Sequence, residues 1–383
     1  MDDRLAQALA FVESSRDEME RWIARLVEVN SFTANPEGGR KVGAMLRELL
    51  EGADLRCEVH RSERFADHLV FSTPAEGKPI ALVGHLDTVF PPGTFEGYRQ
   101  EGNVARGPGV LDMKGGLVLA GFALLALRQV GALEGLPLRF VIVGDEEVGS
   151  PESQAILRES CRDARAALVF EAGRTHDAII TRRKGTGGMK AIAHGKAAHA
   201  GNLHHEGVNA IWALARFVDA AQKLTDYARG VTVNVGKISG GQGKNTVPDH
   251  AEAELDIRFT TAEDGEKLVA SLHEAARTAA ASVEGASITL EGGMMRAPLE
   301  KSEASAALYA TYAACAQASG LGTGEASLIG GGSDANTLSA IGIPAIDGLG
   351  PRGKGFHTKD EQIELDSLVP KAQALVRMLL QRA

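Results

Sequence analysis

Apolar residues recur at regular spacings along the first part of the chain and predict alternating helices and strands. Over residues 17–29 they fall three or four positions apart, and over 42–50 the same spacing returns, which is typical of amphipathic helices. Short apolar runs at 79–83, 138–143 and 166–170 are typical of buried strands. Strands that alternate with helices predict an α/β sheet.

The pattern changes after about residue 180 and predicts an α+β insertion. Its predicted elements are strands at 186–193, 231–238 and 251–259 and helices at 207–224 and 264–283. An apolar strand near 344–346 indicates that the alternation of helices and strands resumes after the insertion. Because 383 residues exceed what one hydrophobic core usually serves, two domains are expected. We predict one domain formed by residues 1–182 and 294–383, with residues 183–293 inserted as a second domain.

The longest apolar run is Gly115–Leu127, which is well short of the ~20 residues that span a bilayer. We therefore expect a buried helix there. The first residues are charged and do not resemble a signal peptide. The three cysteines lie far apart and form no CxxC pair, which argues against a disulfide framework or a cysteine zinc site. These features favour a cytoplasmic protein.

The charge balance excludes one class of partner. Lys and Arg total 41 against 50 Asp and Glu, so the formal net charge is −9. Nucleic acids bind basic surfaces, so a nucleic-acid partner is not expected. The chain also has no apolar run long enough to span a bilayer, so no membrane partner is expected.

Chemically useful side chains follow the predicted strands. His85 follows the run at 79–83, Glu146 and Glu147 follow 138–143, and Glu171 follows 166–170. In α/β sheets, ligands bind at the carboxyl ends of strands. With Asp112 and His357 elsewhere in the chain, these groups form a mixed imidazole and carboxylate set that suits zinc or its neighbours.

The spacing of these groups suggests distinct roles. Asp112 precedes the apolar helix, and a carboxylate there could bridge two cations that clamp a carbonyl and activate water. If Glu146 and Glu147 are extended, they point to opposite sides, so one can bind metal while the other accepts a proton. Asp87 lies two residues after His85 and could receive its second ring N–H. Each motif alone also fits a surface pair, a solvated face or a helix cap.

The ordered set resembles a known family. The segments GHLDTVFP, GVLDMKGG, GDEEVGS, FEAG, AHAG and FHTKDE are similar to those of the dizinc carboxypeptidase–aminoacylase family. That family includes bacterial glutamate carboxypeptidase, succinyl-diaminopimelate desuccinylase and acetylornithine deacetylase. The resemblance runs from about residue 65 to the C-terminus. It implies an α/β, zinc-exopeptidase-like catalytic domain with a central mixed sheet, plus an inserted α+β dimerisation domain.

The resemblance implies a ligand set for two zinc ions per subunit, for which Co²⁺ or Mn²⁺ could substitute. His85 and Glu171 would bind one ion. Glu147 and His357 would bind the other, and Asp112 would bridge both. A glutamate at position 171 favours the carboxypeptidase and deacylase branches over tripeptide-type aminopeptidases.

The resemblance also implies catalytic roles. Glu146 would be the general base, and Asp87 would orient a metal-binding imidazole. His199, in AHAG, would stabilise the oxyanion, usually from the partner subunit of a homodimer. The peptide bond between Asp112 and Met113 would be cis.

Substrate contacts are implied for five further residues: Asn245, Arg258, Arg296, Gly331 and Gly332. Arginine suits a bidentate grip on a carboxylate, and Arg296 matches the position that holds the free carboxylate in glutamate carboxypeptidase. Each arginine could equally form a surface ion pair. No lysine aligns for a glutamate side chain, so the side-chain preference stays open.

The sequence thus predicts a metal-dependent hydrolase that cleaves an amide bond next to a free carboxylate. It would act on small peptides or N-acyl amino acids as a glutamate carboxypeptidase-like carboxypeptidase or an N-acyl-amino-acid deacylase. One alternative is a biosynthetic deacylase of the succinyl-diaminopimelate desuccinylase or acetylornithine deacetylase type. An alternative of another class is a non-catalytic homologue that binds peptides.

Overall fold

The computed structural model describes residues 3–381. They divide into two compact units. Unit 1 contains the chain up to Arg182, Leu299–Ile329 and the chain from Ser333 onward, and unit 2 contains Arg183–Pro298 and Gly330–Gly332.

Two predicted boundaries differ from this division. The insertion was expected to end at residue 293, but unit 2 extends to Pro298 because the strand Ser287–Arg296 pairs within its sheet. The glycines at 330–332 were expected in the catalytic domain but group with unit 2. Gly332 lies close to Thr186 and Arg296, which are residues of unit 2.

The secondary structure follows the predicted alternation. Within residues 3–381 the helices are α1 Asp3–Ser14, α2 Arg16–Val27, α3 Pro36–Glu51, α4 Gly115–Gln129, α5 Ser153–Cys161, α6 Ala210–Gln222, α7 Ala262–Ala281, α8 Glu303–Ala318, α9 Asp334–Ser339 and α10 Leu368–Leu380. The strands are β1 Arg56–His60, β2 His68–Ser72, β3 Ile80–His85, β4 Arg99–Glu101, β5 Val104–Arg106, β6 Leu138–Val143, β7 Ala166–Val169, β8 Gly185–His194, β9 Ala198–His199, β10 Thr232–Gly240, β11 Thr246–Val247, β12 His250–Phe259, β13 Ser287–Arg296, β14 Ala345–Ile346, β15 Gly353–Lys354 and β16 Gln362–Glu364.

A mixed sheet forms the centre of unit 1, with strand order β1-β2-β6-β3-β7-β14. Strands β6, β3, β7 and β14 run parallel, and β1 and β2 add an antiparallel edge. Every residue of β3 and β7 is buried, as expected for parallel strands covered on both faces. Because β3 lies between β6 and β7, the carboxyl ends of these three strands are neighbours.

Helix α4 is the apolar segment that the sequence placed in the core. Nearly all of its residues are buried, and it packs with α10 and α1. Length and composition alone would allow the segment 110–129 to cross a membrane, but 94% of its apolar window is buried within the fold. The core helix of a folded domain passes the same test, so the expectation of a buried helix is confirmed.

Unit 2 has its own sheet and its own core. The strand order is β10-β12-β8-β13, with every neighbouring pair antiparallel. Helices α6 and α7 bury Leu214, Phe217 and Leu272 in a core shared with Ile257 and Phe259 of β12. Capping side chains define both helix starts, since Asn209 accepts from the N–H of Trp212 and Thr261 from that of Asp264.

The core position of α4 predicts a large stability loss when it is truncated. Leu119 is fully buried, so Leu119→Ala removes apolar contacts and leaves a cavity, with an expected cost of about 2–5 kcal/mol. Leu125→Ala on the same helix, where the side chain is only partly buried, should cost less. Urea denaturation followed by circular dichroism measures both. Equal losses in the two variants would contradict this packing.

Candidate metal centre

The predicted ligands converge at the carboxyl ends of β6, β3 and β7. His85 is the last residue of β3, Glu146 and Glu147 follow β6, and Glu171 follows β7. The Nε2 atom of His85 lies 3.8 Å from Oε1 of Glu171. The parallel sheet therefore brings together groups that are up to 86 positions apart in the chain, as 171 − 85 = 86.

Asp112 lies between the two imidazoles. Its Oδ1 is 3.2 Å from Nε2 of His85, and its Oδ2 is 3.3 Å from Nε2 of His357. The peptide bond between Asp112 and Met113 is cis, which confirms that expectation. A carboxylate with one oxygen toward each imidazole has the arrangement needed to bridge two ions.

His357 reaches the cluster from the hairpin between β15 and β16. Its Nε2 lies 3.1 Å from Oε2 of Glu147, and its side chain is 49% exposed. Its φ of 61° is unusual for a residue with a side chain and defines a tight turn. This exposed imidazole is the part of the cluster most open to solvent.

The two glutamates of GDEE are arranged differently from the prediction. Residues Glu146–Val148 form a single 3₁₀ turn rather than an extended segment, because Gly149 at φ 91° lets the chain reverse. Ligand atoms of Glu146, His85 and Glu171 lie within 4.8 Å of one another, as do those of Glu147, Asp112 and His85. The turn thus directs the neighbouring carboxylates to two adjacent groupings.

Asp87 holds both His85 and this turn. The Nδ1 atom of His85 is 3.0 Å from the carbonyl oxygen of Asp87 and 3.4 Å from its Oδ1. The Asp87 carboxylate also accepts from the N–H groups of Glu146 and Glu147, each at 3.2 Å, and from the hydroxyl of Thr33 at 2.7 Å. The contact with His85 was predicted, whereas Thr33 carries no sequence signal that identifies it.

A second buried carboxylate fixes the far side of the turn. Asp145 Oδ2 accepts from the N–H groups of Glu152 and Ser153, at 2.8 and 3.2 Å. Its side chain is fully buried. The turn that carries Glu146 and Glu147 is therefore held from both sides.

The electrostatics of the cluster reflect crowded buried carboxylates. Burial raises the pKa of Glu171 well above its usual range, and the charge of Asp112 adds to that rise. Burial likewise raises the pKa of Glu147. Burial disfavours the charged form of His85, but its bonds to Asp112 and Asp87 still raise its pKa well above normal. Bonds to Asp112 and Glu147 raise the pKa of His357 to about 10.

These residues fit a pair of divalent cations. The Oε1 atom of Glu147 is buried without a hydrogen-bond partner, as expected of an oxygen that serves a metal. Imidazole nitrogen and carboxylate oxygen are the donor types that zinc and its neighbours accept. A cation would also compensate the charge that raises the pKa values of Glu147 and Glu171.

Two predicted residues of unit 2 are neighbours. His199 ends β9, which pairs with β11, and the N–H of Ala200 donates to the carbonyl of Asn245 at 2.9 Å. The ring Nδ1 of His199 accepts from the N–H groups of Gly201 and Asn202, which fixes the tautomer with a proton on Nε2. The side chains of His199 and Asn245 are exposed. Their roles remain predictions.

The two predicted arginines flank one residue of β8. Arg258 on β12 and Arg296 on β13 both pair in register with Thr186. Gly332 approaches the same row, since a Cβ there would lie 3.2 Å from both Arg296 Cδ and Thr186 Cγ2. Arg258 forms a bidentate ion pair with Asp256, at 2.8 and 2.6 Å. Such an ion pair is the alternative to substrate binding that the sequence left open for this arginine. Residues opposite each other on paired strands share a sheet face, so the arginines form one row.

The chain is similar to known proteins in one segment of its sequence and in its overall fold. Residues 181–284 match the M20 family described as the peptidase dimerisation domain. A tripeptidase from Staphylococcus aureus superposes with a TM-score of 0.82 at 22% identity, covering 96% of this chain and 98% of that one. A Bacillus subtilis protein described as a dinuclear metal binding peptidase gives 0.71 at 15% identity, covering 96% and 98%. The fold is thus that of the M20 peptidases, which confirms the predicted fold class.

Two relatives identified by sequence are named as enzymes that hydrolyse amide bonds or peptides. Carboxypeptidase G2 of Pseudomonas sp. strain RS-16 is 27% identical over 94% of this chain and 88% of its own length. A probable succinyl-diaminopimelate desuccinylase of Staphylococcus aureus is 25% identical over 56% of this chain and 61% of its own length. The chain is thus similar in sequence to proteins named as a carboxypeptidase and a desuccinylase, which confirms the resemblance.

The raised pKa of His357 predicts that metal binding releases a proton. With its pKa near 10, His357 is protonated at neutral pH in the metal-free protein, and a metal requires the neutral ring. Apparent affinity for Zn²⁺ or Co²⁺ should therefore rise between pH 6 and pH 9. Calorimetry in buffers of different ionisation enthalpy should detect proton release, and His357→Ala should release fewer protons. Affinity that is independent of pH would contradict this assignment.

Proposed function

We propose that this protein is a metal-dependent hydrolase that cleaves an amide bond next to a free carboxylate, as a carboxypeptidase or an N-acyl-amino-acid deacylase. The observation that carries the proposal is the placement of Asp112 between His85 and His357, with Glu146, Glu147 and Glu171 around it. Neighbouring buried carboxylates repel each other when ionised, so a cluster of this size is unfavourable unless cations bind to it.

In this proposal His85 and Glu171 hold one ion, Glu147 and His357 hold the other, and Asp112 holds both. We propose zinc, with cobalt or manganese as substitutes, since these ions share the donor set. When bound, such a pair supplies an electrophile for the substrate carbonyl and lowers the pKa of water. The M20-fold neighbour described as dinuclear supports the count of two.

The chain's own carboxylates then carry the proton. Glu146 accepts a proton from the attacking water at its carboxylate and returns it to the nitrogen of the leaving amine. Asp87 keeps the Nε2 of His85 turned toward Asp112 by occupying its Nδ1. From the resemblance, Nε2–H of His199 from the partner subunit of a homodimer donates to the oxyanion.

The free carboxylate of the substrate is assigned to the row of arginines in unit 2. Arg258 and Arg296 flank Thr186, and guanidinium groups recognise carboxylates through two parallel bonds. Asn245 and the glycines at 331 and 332 complete the proposed contacts. The relationship to carboxypeptidase G2 supports a substrate of this kind.

A biosynthetic deacylase is the second candidate, favoured by the desuccinylase relative. Both candidates cleave an amide beside a carboxylate, so they share the mechanism above and differ in substrate side chain. We also propose a cytoplasmic location.

Turnover of a substrate panel tests the proposal. Protein loaded with Zn²⁺ or Co²⁺ should hydrolyse one group among N-acyl amino acids, dipeptides with C-terminal glutamate and N-succinyl diamino acids. Chelation should abolish activity, and the preferred group separates the two candidates. Two bound metals with no hydrolysis of any panel member would favour the non-catalytic homologue.

Removal of the proposed base should separate chemistry from metal binding. Glu146→Ala should retain both metals but lower kcat by about 10²–10⁴-fold, because it removes the proton acceptor and leaves the proposed ligands in place. Metal content by mass spectrometry and kcat on the best panel substrate measure this. Glu159→Ala is the matched control, since that exposed carboxylate lies on helix α5 and pairs with Arg162, which directly follows the helix. Wild-type kcat in Glu146→Ala would remove Glu146 from the mechanism.

Subunit mixing tests the role of His199. Glu146→Ala and His199→Ala proteins should each be inactive, and a mixture after subunit exchange should regain partial activity if His199 serves the partner's site. The mixed dimer then contains one site in which both groups are intact. Two inactive variants that never complement, despite exchange shown by labelled subunits, would show that His199 acts within its own chain or not at all.

A further inference from the structure

Glu361 is a fully buried carboxylate bonded to three backbone amides of one turn. Its Oε2 accepts from the N–H of Gly109 at 3.0 Å. Its Oε1 accepts from the N–H groups of Leu111 and Asp112, each at 2.9 Å. All four residues belong to unit 1, and the side chain of Glu361 is 0% exposed.

The position of Glu361 joins two segments that are distant in the chain. It lies four residues after His357 and directly before β16, which pairs with β15 and β5. The turn that it holds lies between β5 and α4 and carries Asp112. One side chain thus connects the backbone of Asp112 to the hairpin that carries His357.

The turn has a physical need for such an acceptor. Gly109 has φ 74°, and Asp112 and Met113 depart from helical geometry, so the segment Val110–Lys114 is not a regular α-helix. A buried N–H without an acceptor costs about 1–3 kcal/mol. A carboxylate can accept all three bonds, whereas an amide has only one oxygen to offer.

A buried lysine lies on the same turn. Lys114 is 0% exposed, and its Nζ donates to the carbonyl of Val29 at 2.9 Å. Burial lowers the pKa of Lys114 to about 7, and the charge of Glu361 opposes that shift only in part. The turn is therefore held at a second point, by the bond from Lys114 to the backbone of Val29.

We propose that Glu361 is a positioning residue, which fixes the backbone of Asp112 relative to His357 so that the Asp112 carboxylate faces both metal positions. This inference rests on the proposed function, because the positions concerned are those of the two proposed ions. Glu361 contacts neither ion nor substrate, so it acts only through Asp112 and the hairpin.

Metal affinity of Glu361→Gln tests the inference. The variant keeps size but turns one acceptor into a donor that opposes an N–H group. Affinity for Co²⁺ should fall about 10–100-fold, as for other groups that orient metal ligands. The visible spectrum of the cobalt protein should also change. Chelator competition and absorption spectroscopy measure both without any substrate.

Two control variants separate positioning from general stability. Asp360→Asn alters the adjacent exposed carboxylate and should keep wild-type affinity and spectrum. Leu119→Ala loses stability at a site outside the cluster, so it should keep the cobalt spectrum at temperatures where it is folded. If Glu361→Gln does not fold, Glu361→Asp retains the charge with a shorter reach and should show a smaller loss.

The outcomes distinguish the two proposals. Wild-type protein that binds no pair of ions would overturn the proposed function. Wild-type protein that binds two ions, with an unchanged affinity and spectrum in folded Glu361→Gln or Glu361→Asp, would overturn the positioning role alone. An equal spectral change in Leu119→Ala would reduce Glu361 to a stabilising residue.

Discussion

The burial of several carboxylates at one edge of a sheet is the constraint on which unit 1 depends. Asp112, Glu147 and Glu171 are largely removed from water, and like charges at close range oppose their own ionisation. The structure compensates in part with the imidazoles of His85 and His357, which lie within 3.1–3.8 Å of these oxygens. A divalent pair would complete this compensation.

Around this cluster lies a second set of acidic side chains with a different task. Asp87, Asp145 and Glu361 are buried, but each accepts several backbone N–H groups. Hydrogen bonds from amides stabilise a carboxylate and at the same time fix the loop that donates them. The acidic residues of unit 1 thus divide into those that face the proposed ions and those that hold the loops in place.

Unit 2 follows a simpler plan. Its antiparallel sheet and two helices enclose an independent core, so it can carry the row of Arg258, Thr186 and Arg296 without depending on the charged cluster of unit 1. Residues 181–284 match the peptidase dimerisation domain, and the apolar side chains of Trp212 and Ile238 in this unit are exposed. The placement of the proposed substrate contacts Arg258 and Arg296 therefore depends on the fold of unit 2.

The sequence by itself determined seven of the strands within residues 3–381, the core helix and the identity of the side chains that converge at the ends of β3, β6 and β7. Local spacing specifies a buried strand such as Leu138–Val143, and the resemblance identified His85, Asp112 and His357 because each lies within a short motif. It erred at Glu146–Glu147, where an assumed extended backbone is a 3₁₀ turn. The spacing of apolar residues does not show that Gly149, with its positive φ, reverses the direction of the chain after this turn.

Only the tertiary structure decided which acidic residues support the loops. Thr33 donates to Asp87 across 54 positions, and Glu361 accepts from Asp112 across 249. A hydrogen bond between such distant residues leaves no periodicity or local motif, because it depends on how separate elements pack. The same holds for the row of Arg258 and Arg296, which strand register alone brings together.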